Sequence, residues 1–215
     1  MKKFELTTDT KMHFGRKLFR IKALVSFGNV KAGDMGGYVE KEENLSHLND
    51  AWVYGDAWVS GNAKVYGDAE VSGNAWVYGD AEVYGNAWVS GNAKVYGDAE
   101  VSGNAKVYGD AEVSGDAEVY GNAWVSGDAW VYGDAWVSGN ADYATASGFG
   151  SEYRTTTFFK LKNSDEIGVR CGCFYGTLKE FKEKVKETHG ETKKAKEYLM
   201  LADLMEYRFS EEKKA

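Results

Sequence analysis

The 215-residue chain has 26 Gly, 14 Tyr, 7 Trp and no Pro, a composition that fits tight corners between short strands and argues against a disordered polypeptide. No apolar run reaches the ~18 residues of a membrane-spanning helix, so no membrane partner is expected; two cysteines without a signal-peptide pattern point to a reducing, cytoplasmic compartment. The net charge of −7 is uneven: nine basic and six acidic side chains in residues 1–48, three and fifteen in 49–142, fourteen and twelve in 143–215, so the acidic middle is not expected to bind nucleic acid directly, which needs basic stripes.

Residues 1–48 contain the strand-like runs KFELT, KLFRIKAL and GGYVE between Gly and Asp turn signals. They predict an N-terminal β cap, because an open end of stacked strands exposes unpaired backbone groups and invites association. Leu45 and His47 fall in the Ala and Val phases of the repeat that follows, so the repeat is expected to begin imperfectly there.

From Ala51 the chain reads Ala-x-Val-(Tyr/Ser)-Gly-(Asp/Asn), with Val recurring every six residues from Val53 to Val137 in 15 copies without a slip. A unit this short cannot bury its apolar side without stacked neighbours. Alternation sends Ala and Val to one side and x and Tyr/Ser to the other. Gly and Asn, which tolerate positive φ, then turn the corner. Three flat sides close a triangular coil of 18 residues; a period of six excludes an amphipathic α-helix, and the corner residues argue against the alternative of a flat amyloid-like array. Residues 49–150 are therefore a parallel β-helix of about five coils, roughly 24 Å long at the ~4.8 Å strand spacing.

This pattern resembles the hexapeptide-repeat proteins, whose left-handed β-helix places an aliphatic residue at one inward position and a small residue two before it. Handedness is taken from that resemblance. The family includes acyltransferases, γ-type carbonic anhydrases and inert scaffolds, so the resemblance implies the fold and leaves function open. The flanking segments LFRIKALVSFGNVKAGDMGGYVEKEENLS and FFKLKNSDEIGVRCGCFYGTLKEFKEKVKETHG resemble those of phage and prophage hexapeptide-repeat proteins.

At the far end Tyr143 and Phe149 keep the Val phase and are expected to plug the core. Residues 151–215 predict a small α+β module: TTTFFKLK, NSDE and IGVRCGCF read as a β-hairpin. Thr177 with Glu180 forms a capping box opening a helix with Leu178, Phe181 and Val185 on one face, and Gly190 ends it. A second helix is predicted over Thr192 to Phe209, carrying Tyr198, Leu199, Leu201, Ala202 and Met205.

Catalytic signals are sparse. Acyltransferases of the resembled family use a coil-edge His as general base, and a carbonic anhydrase of this fold needs three His for its metal. The three histidines here, His13, His47 and His189, all lie outside the repeat. The repeat also lacks the looped-out insertion that shapes an acyl-CoA site, and phosphate-binding glycine loops are absent. No catalytic residue is assigned. Cys171 and Cys173 are weak metal or redox candidates, since zinc needs two further ligands and only His189 is at hand. Two cysteines two apart on one strand point the same way and also pack well as small buried thiols.

Folding the x positions at 18 residues per coil gives three outward columns: Trp52, Glu70, Trp88, Lys106, Trp124; then Trp58, Trp76, Lys94, Glu112, Trp130; then Lys64, Glu82, Glu100, Glu118, Trp136. The Trp-rich first two faces exceed what a solvated monomer shows. Trp52, Trp88, Trp124, Trp58, Trp76 and Trp130 are thus candidate contacts for self-association or a protein partner. Stacked aromatics also stabilise a sheet by ~0.2–1 kcal/mol per pair, and Lys94/Glu112 and Lys64/Glu82 are expected to pair. The third face carries an acidic ladder, Asp80, Glu82, Asp98, Glu100, Asp116, Glu118 and Asp134, whose repulsion of about 0.9 kcal/mol per pair is offset by solvent salt, by a basic partner or by bound cations; the sharper reading is a Ca²⁺-binding or nucleic-acid-mimicking ladder.

These readings predict a non-enzymatic structural or binding protein, of the phage or prophage kind. Its rigid β-helix would present aromatic and acidic faces, and its C-terminal module, to a partner such as a host factor or small ligand. The alternative is a degenerate acyltransferase-like enzyme.

Overall fold

In a computed structural model describing residues 1–150 and 152–210, each hexad forms one very short strand. Fifteen strands, β4 (Trp52–Val53) through β18 (Trp136–Val137), lie in three parallel sheets. Each x-Val pair sits on the pair 18 residues later, as Trp88 on Lys106 and Glu100 on Glu118, so the outward columns have the predicted registers. The Ala and Val side chains from Ala51 to Val137 are at most 1% exposed and form one continuous core. Corner glycines stack on each other: Gly91 has φ +70°, and a Cβ there would lie 2.9 Å from Gly109 N. Position and conformation therefore both require glycine.

The mainly β solenoid has about six coils of ~18 residues rather than five, because part of the N-terminal segment is itself a coil. Strands β1 (Phe4–His13) and β2 (Arg16–Ala23) form an antiparallel hairpin, and β3 (Met35–Val39) pairs antiparallel with β2. On its other edge β3 runs parallel to the repeat, with Val39 opposite Val59, and Leu45 bridges to Val65. Leu45 thus occupies the Val seat, not the Ala seat expected for it. The chain then inserts two residues before Val53. His47 leaves the interior, its ring stacked on Phe4 at 4.3 Å and its Nε2 2.6 Å from Glu42, because an apolar leucine fills a dry seat that an imidazole cannot.

The ladder is directional, and its two ends differ chemically. Every N–H of the repeat's x positions points toward the following coil, as Trp52 N donates to Ala69 O at 3.0 Å. The first coil therefore presents bare carbonyls. Asn44, fully buried, donates to Gly61 O (3.1 Å) and Ala63 O (2.8 Å). The Lys3 amine donates to Asn49 O (3.1 Å) and Ala51 O (2.7 Å). Burial lowers the Lys3 pKa to about 8 despite the nearby Asp50 and Asp68 carboxylates. The last coil presents bare N–H groups. Trp124 N donates to Asn140 Oδ1 (2.8 Å), Trp130 N to Thr157 Oγ1 (2.9 Å), and Ser138 N and Gly139 N both to Asp142 Oδ2 at 3.0 Å.

The C-terminal module begins earlier than residue 151. Strands β19 (Tyr143–Phe149), β20 (Arg154–Lys160), β21 (Ile167–Cys171) and β22 (Phe174–Thr177) form an antiparallel meander, followed by α1 (Leu178–His189) and α2 (Lys193–Phe209). The expected hairpin becomes four strands because Gly172, at φ +57°, breaks IGVRCGCF into β21 and β22, and because β19 pairs with β20. The solenoid end is plugged by Phe159, fully buried, with Leu161 and Tyr143 packed around it. Phe149, expected in that role, packs into the module's own core instead, beside Phe158, Phe181 and Tyr198. The α1 capping box at Thr177 and Glu180 forms as expected, and Thr192 caps α2.

Candidate binding surface

The chain covers much of its own aromatic surface. Trp52 is 1% exposed, sealed beneath Phe27 (5.3 Å) and Phe4 (6.2 Å). On the second face the β1–β2 hairpin lies over Trp58, which is 5% exposed; His13 stands 4.5 Å from Trp58 and 5.1 Å from Trp76. At the other end the Arg170 guanidinium sits 3.8 Å over Trp130, a cation–π contact. Between them Lys94 meets Glu112 at 2.8 Å, as expected. Two aromatic faces open along their length were expected; Trp52 and Trp58 instead are buried anchors for the N-terminal cap, and Trp76 and Trp130 are half-buried. Apolar area covered this way stabilises by ~25 cal/mol per Å², which is why the flanks condense there.

The first face stays open. Trp88, Tyr108 and Trp124 are 40%, 36% and 46% exposed. The Lys106 amine sits between the two indoles, 5.6 Å from Trp88 and 4.8 Å from Trp124. Helix α2 runs beside this face, and between them lies a cleft of about 710 Å³ lined by Tyr108, Trp124, Tyr143, Leu204, Tyr207 and Arg208. On α2, Met200, Leu204 and Tyr207 are 72%, 55% and 80% exposed. Sequence reasoning assigned α2 only its inward stripe and missed this one. The signal was there: 200, 204 and 207 follow the i, i+4, i+7 spacing of a second apolar helix face.

The third face answers the question of its own charge. Tyr66 donates to Glu82 at 2.7 Å and Tyr84 to Glu100 at 2.9 Å, while Lys64 reaches Glu82 at 3.3 Å and Lys162 pairs with Glu118. The Tyr66 and Tyr84 rings stack at 4.9 Å. Burial, then Glu82, pushes the Tyr66 hydroxyl pKa upward. Asn62 donates to Asp80 at 3.0 Å, and the corner carboxylates Asp80, Asp98, Asp116 and Asp134 are exposed. The offset foreseen for this ladder is thus partly internal. Among the described residues no three or more His, Cys, Asp or Glu side chains cluster so as to hold a metal ion. At the other corners the Asn74 amide donates to Asn92 and Asn92 to the Asp110 carboxylate (3.2 and 3.0 Å), while Asn86, Asn104 and Asn122 form an amide ladder.

Cys171 and Cys173 do not share a strand face, because the Gly172 turn separates them. Cys171 is half-buried, its Sγ accepting from Thr156 Oγ1 at 3.1 Å, and Cys173 is exposed. The three histidines serve separate packing contacts: His13 on Trp58, His47 on Phe4, and His189 stacked 6.0 Å from Tyr198.

The family described as "YdcK Beta solenoid repeat" matches residues 117–133. The chain is similar to that family across this stretch, which joins the last two coils and agrees with a β-solenoid repeat. No curated protein matches the chain.

Proposed function

We propose that this chain is a non-enzymatic binding protein in which the solenoid is a rigid ruler and the groove between its first face and α2 is the recognition surface. One observation carries the reading: Trp52 and Trp58 are covered by the chain itself, whereas Trp88, Tyr108 and Trp124 stand exposed beside the exposed Leu204 and Tyr207. A contiguous apolar patch of this kind marks a protein contact, and Trp and Tyr are the side chains that dominate such contacts.

A second copy of the chain is the first occupant to test. Each copy supplies both an aromatic row and an apolar helix stripe, so a two-fold pairing of α2 on the Trp88–Trp124 row is self-complementary. Sedimentation of the wild type should show a dimer, and Trp124→Ser combined with Leu204→Glu should give a monomer with an unchanged far-ultraviolet spectrum and a melting temperature that no longer depends on protein concentration. A wild type that stays monomeric at high concentration overturns self-association. The flanks' resemblance to phage and prophage proteins then directs the search to a host protein in the bacterial cytoplasm.

The competing acyltransferase-like reading lacks a histidine anywhere in the repeat. Turnover of acetyl-CoA with small amine or hydroxyl acceptors, above the uncatalysed rate, would reverse that preference.

A further inference from the structure

We infer that the C-terminal module carries a separate binding cleft for a small organic anion with a flat apolar body, an aromatic carboxylate or sulfonate in chemical class, with Arg154 as its anion clamp. The cleft measures about 510 Å³ and opens between the β21–β22 turn and α1, within the range of small-molecule sites. Its floor is apolar and aromatic: Phe181, Val185 and Tyr198 are 3%, 4% and 7% exposed, and Phe174 leans on Phe181 at 5.5 Å. Ring edges and faces presented by Phe181 and Tyr198, 5.6 Å apart and nearly perpendicular, suit a planar guest.

The rim supplies the charge. Arg154 and Lys184 line the cleft together with the Glu152 carboxylate; Lys184 is paired with Glu187 at 2.9 Å, so Arg154 is the cation that faces a guest. The Arg154 guanidinium lies against Gly172, where a Cβ would come within 2.6 Å of it. Its carboxylate partner among the described residues is Glu152, at a loose 3.9 Å with both side chains more than half exposed. That leaves the planar fork free to take a carboxylate or sulfonate in two parallel hydrogen bonds. Apolar floor and loosely paired cation together define an amphipathic anion, where a wholly apolar or a cationic guest would use only half of the cleft. This site is independent of the solenoid groove and stands or falls without it.

The protein contains its own reporters. Its two cysteines, Cys171 and Cys173, both line this cleft, and all seven tryptophans lie in the repeat. The probe is 1-anilinonaphthalene-8-sulfonate, read by its fluorescence and by the rate at which N-ethylmaleimide modifies Cys173. At a probe concentration ten times its Kd, modification should slow about tenfold, because only about a tenth of the clefts remain open. Arg154→Gln, a change at a half-exposed side chain, should weaken binding about tenfold or more, and Glu152→Gln should strengthen it. Thr188→Trp, which fills the mouth from α1, should abolish both signals, whereas Trp124→Ser should leave both intact. Unchanged affinity in Arg154→Gln, absence of Cys173 protection, or loss of binding in Trp124→Ser each overturns the assignment.

Discussion

Lys3 and Asp142 close opposite ends of one hydrogen-bond ladder with opposite charges. The ammonium lies on the carbonyls of Asn49 and Ala51, and the carboxylate on the N–H groups of Ser138 and Gly139. The arrangement follows from the direction of the ladder, which leaves acceptors bare at its start and donors bare at its end. A helix solves the same problem with its caps. Here the open edges are whole coils, and aromatic plugs complete the closure: Phe4 with Trp52 at one end, Phe159 at the other.

Removing either cap should cost stability without altering the repeat. Asp142→Ala leaves two N–H groups, the Ser138 hydroxyl (2.6 Å) and the Lys160 amine, now 2.8 Å from the carboxylate, without their acceptor, and should cost about 2–3 kcal/mol. Asn44→Ala should cost about 1–2 kcal/mol through the carbonyls of Gly61 and Ala63. Urea midpoints measure both, with an unchanged far-ultraviolet spectrum as the control.

The caps also dictate a pH profile. Burial works against the Asp142 charge, but hydrogen bonds from Lys160 and Ser138 outweigh it and hold the carboxyl below its ordinary 3.8. Its stabilisation is therefore present above pH 3.8 and lost as pH falls through the lower folded value. Asp142→Asn should flatten that acid limb. Lys3 acts at the other end of the scale. Its pKa falls from 10.5 to about 8 on folding, so from pH 8 upward the unfolded chain holds more protons and stability rises. Above pH 10 the half-buried Tyr78 hydroxyl, pushed up to about 12 by burial, reverses the slope. Urea midpoints from pH 7.5 to 9.5 should climb in the wild type relative to Lys3→Met; equal slopes would refute the Lys3 assignment.

Corner glycines should differ by position. Gly127 has φ +65°, and a Cβ there would meet nothing within 4 Å, so Gly127→Ala should cost only the left-handed strain of about 1–2 kcal/mol. Gly91→Ala meets the same strain plus the backbone of Gly109 at 2.9 Å and should cost distinctly more. Thermal melts of the two variants side by side give the comparison.

Calcium should act on the acidic face only as ionic strength. Glu82, Glu100 and Glu118 already hold Tyr66, Tyr84 and Lys162. The exposed corner aspartates are screened by any salt over ~10 Å at 0.1 M. Millimolar CaCl₂ and NaCl of matched ionic strength should shift the melting temperature equally. A rise specific to calcium would instead establish a bound cation on the ladder.

The unbroken hexads of residues 51–140 determined the solenoid by themselves. Inward Val, small Ala, corner Gly and the 18-residue column registers are all consequences of a period, and each residue's neighbours are copies of itself one coil away. The Lys94–Glu112 and Lys64–Glu82 pairs were legible for that reason. The tertiary structure alone decided which outward aromatics are surface. Trp52 and Trp88 occupy equivalent places in one column, yet one is 1% and the other 40% exposed. The difference lies in Phe4 and Phe27, which no period relates to the repeat. The same holds for Leu45 in the Val seat, for Arg170 over Trp130, and for α2 beside Trp124. Periodicity specifies contacts between like units, whereas docking of flank on solenoid depends on shape and apolar area meeting across dozens of residues. The open groove exists only where that docking stops.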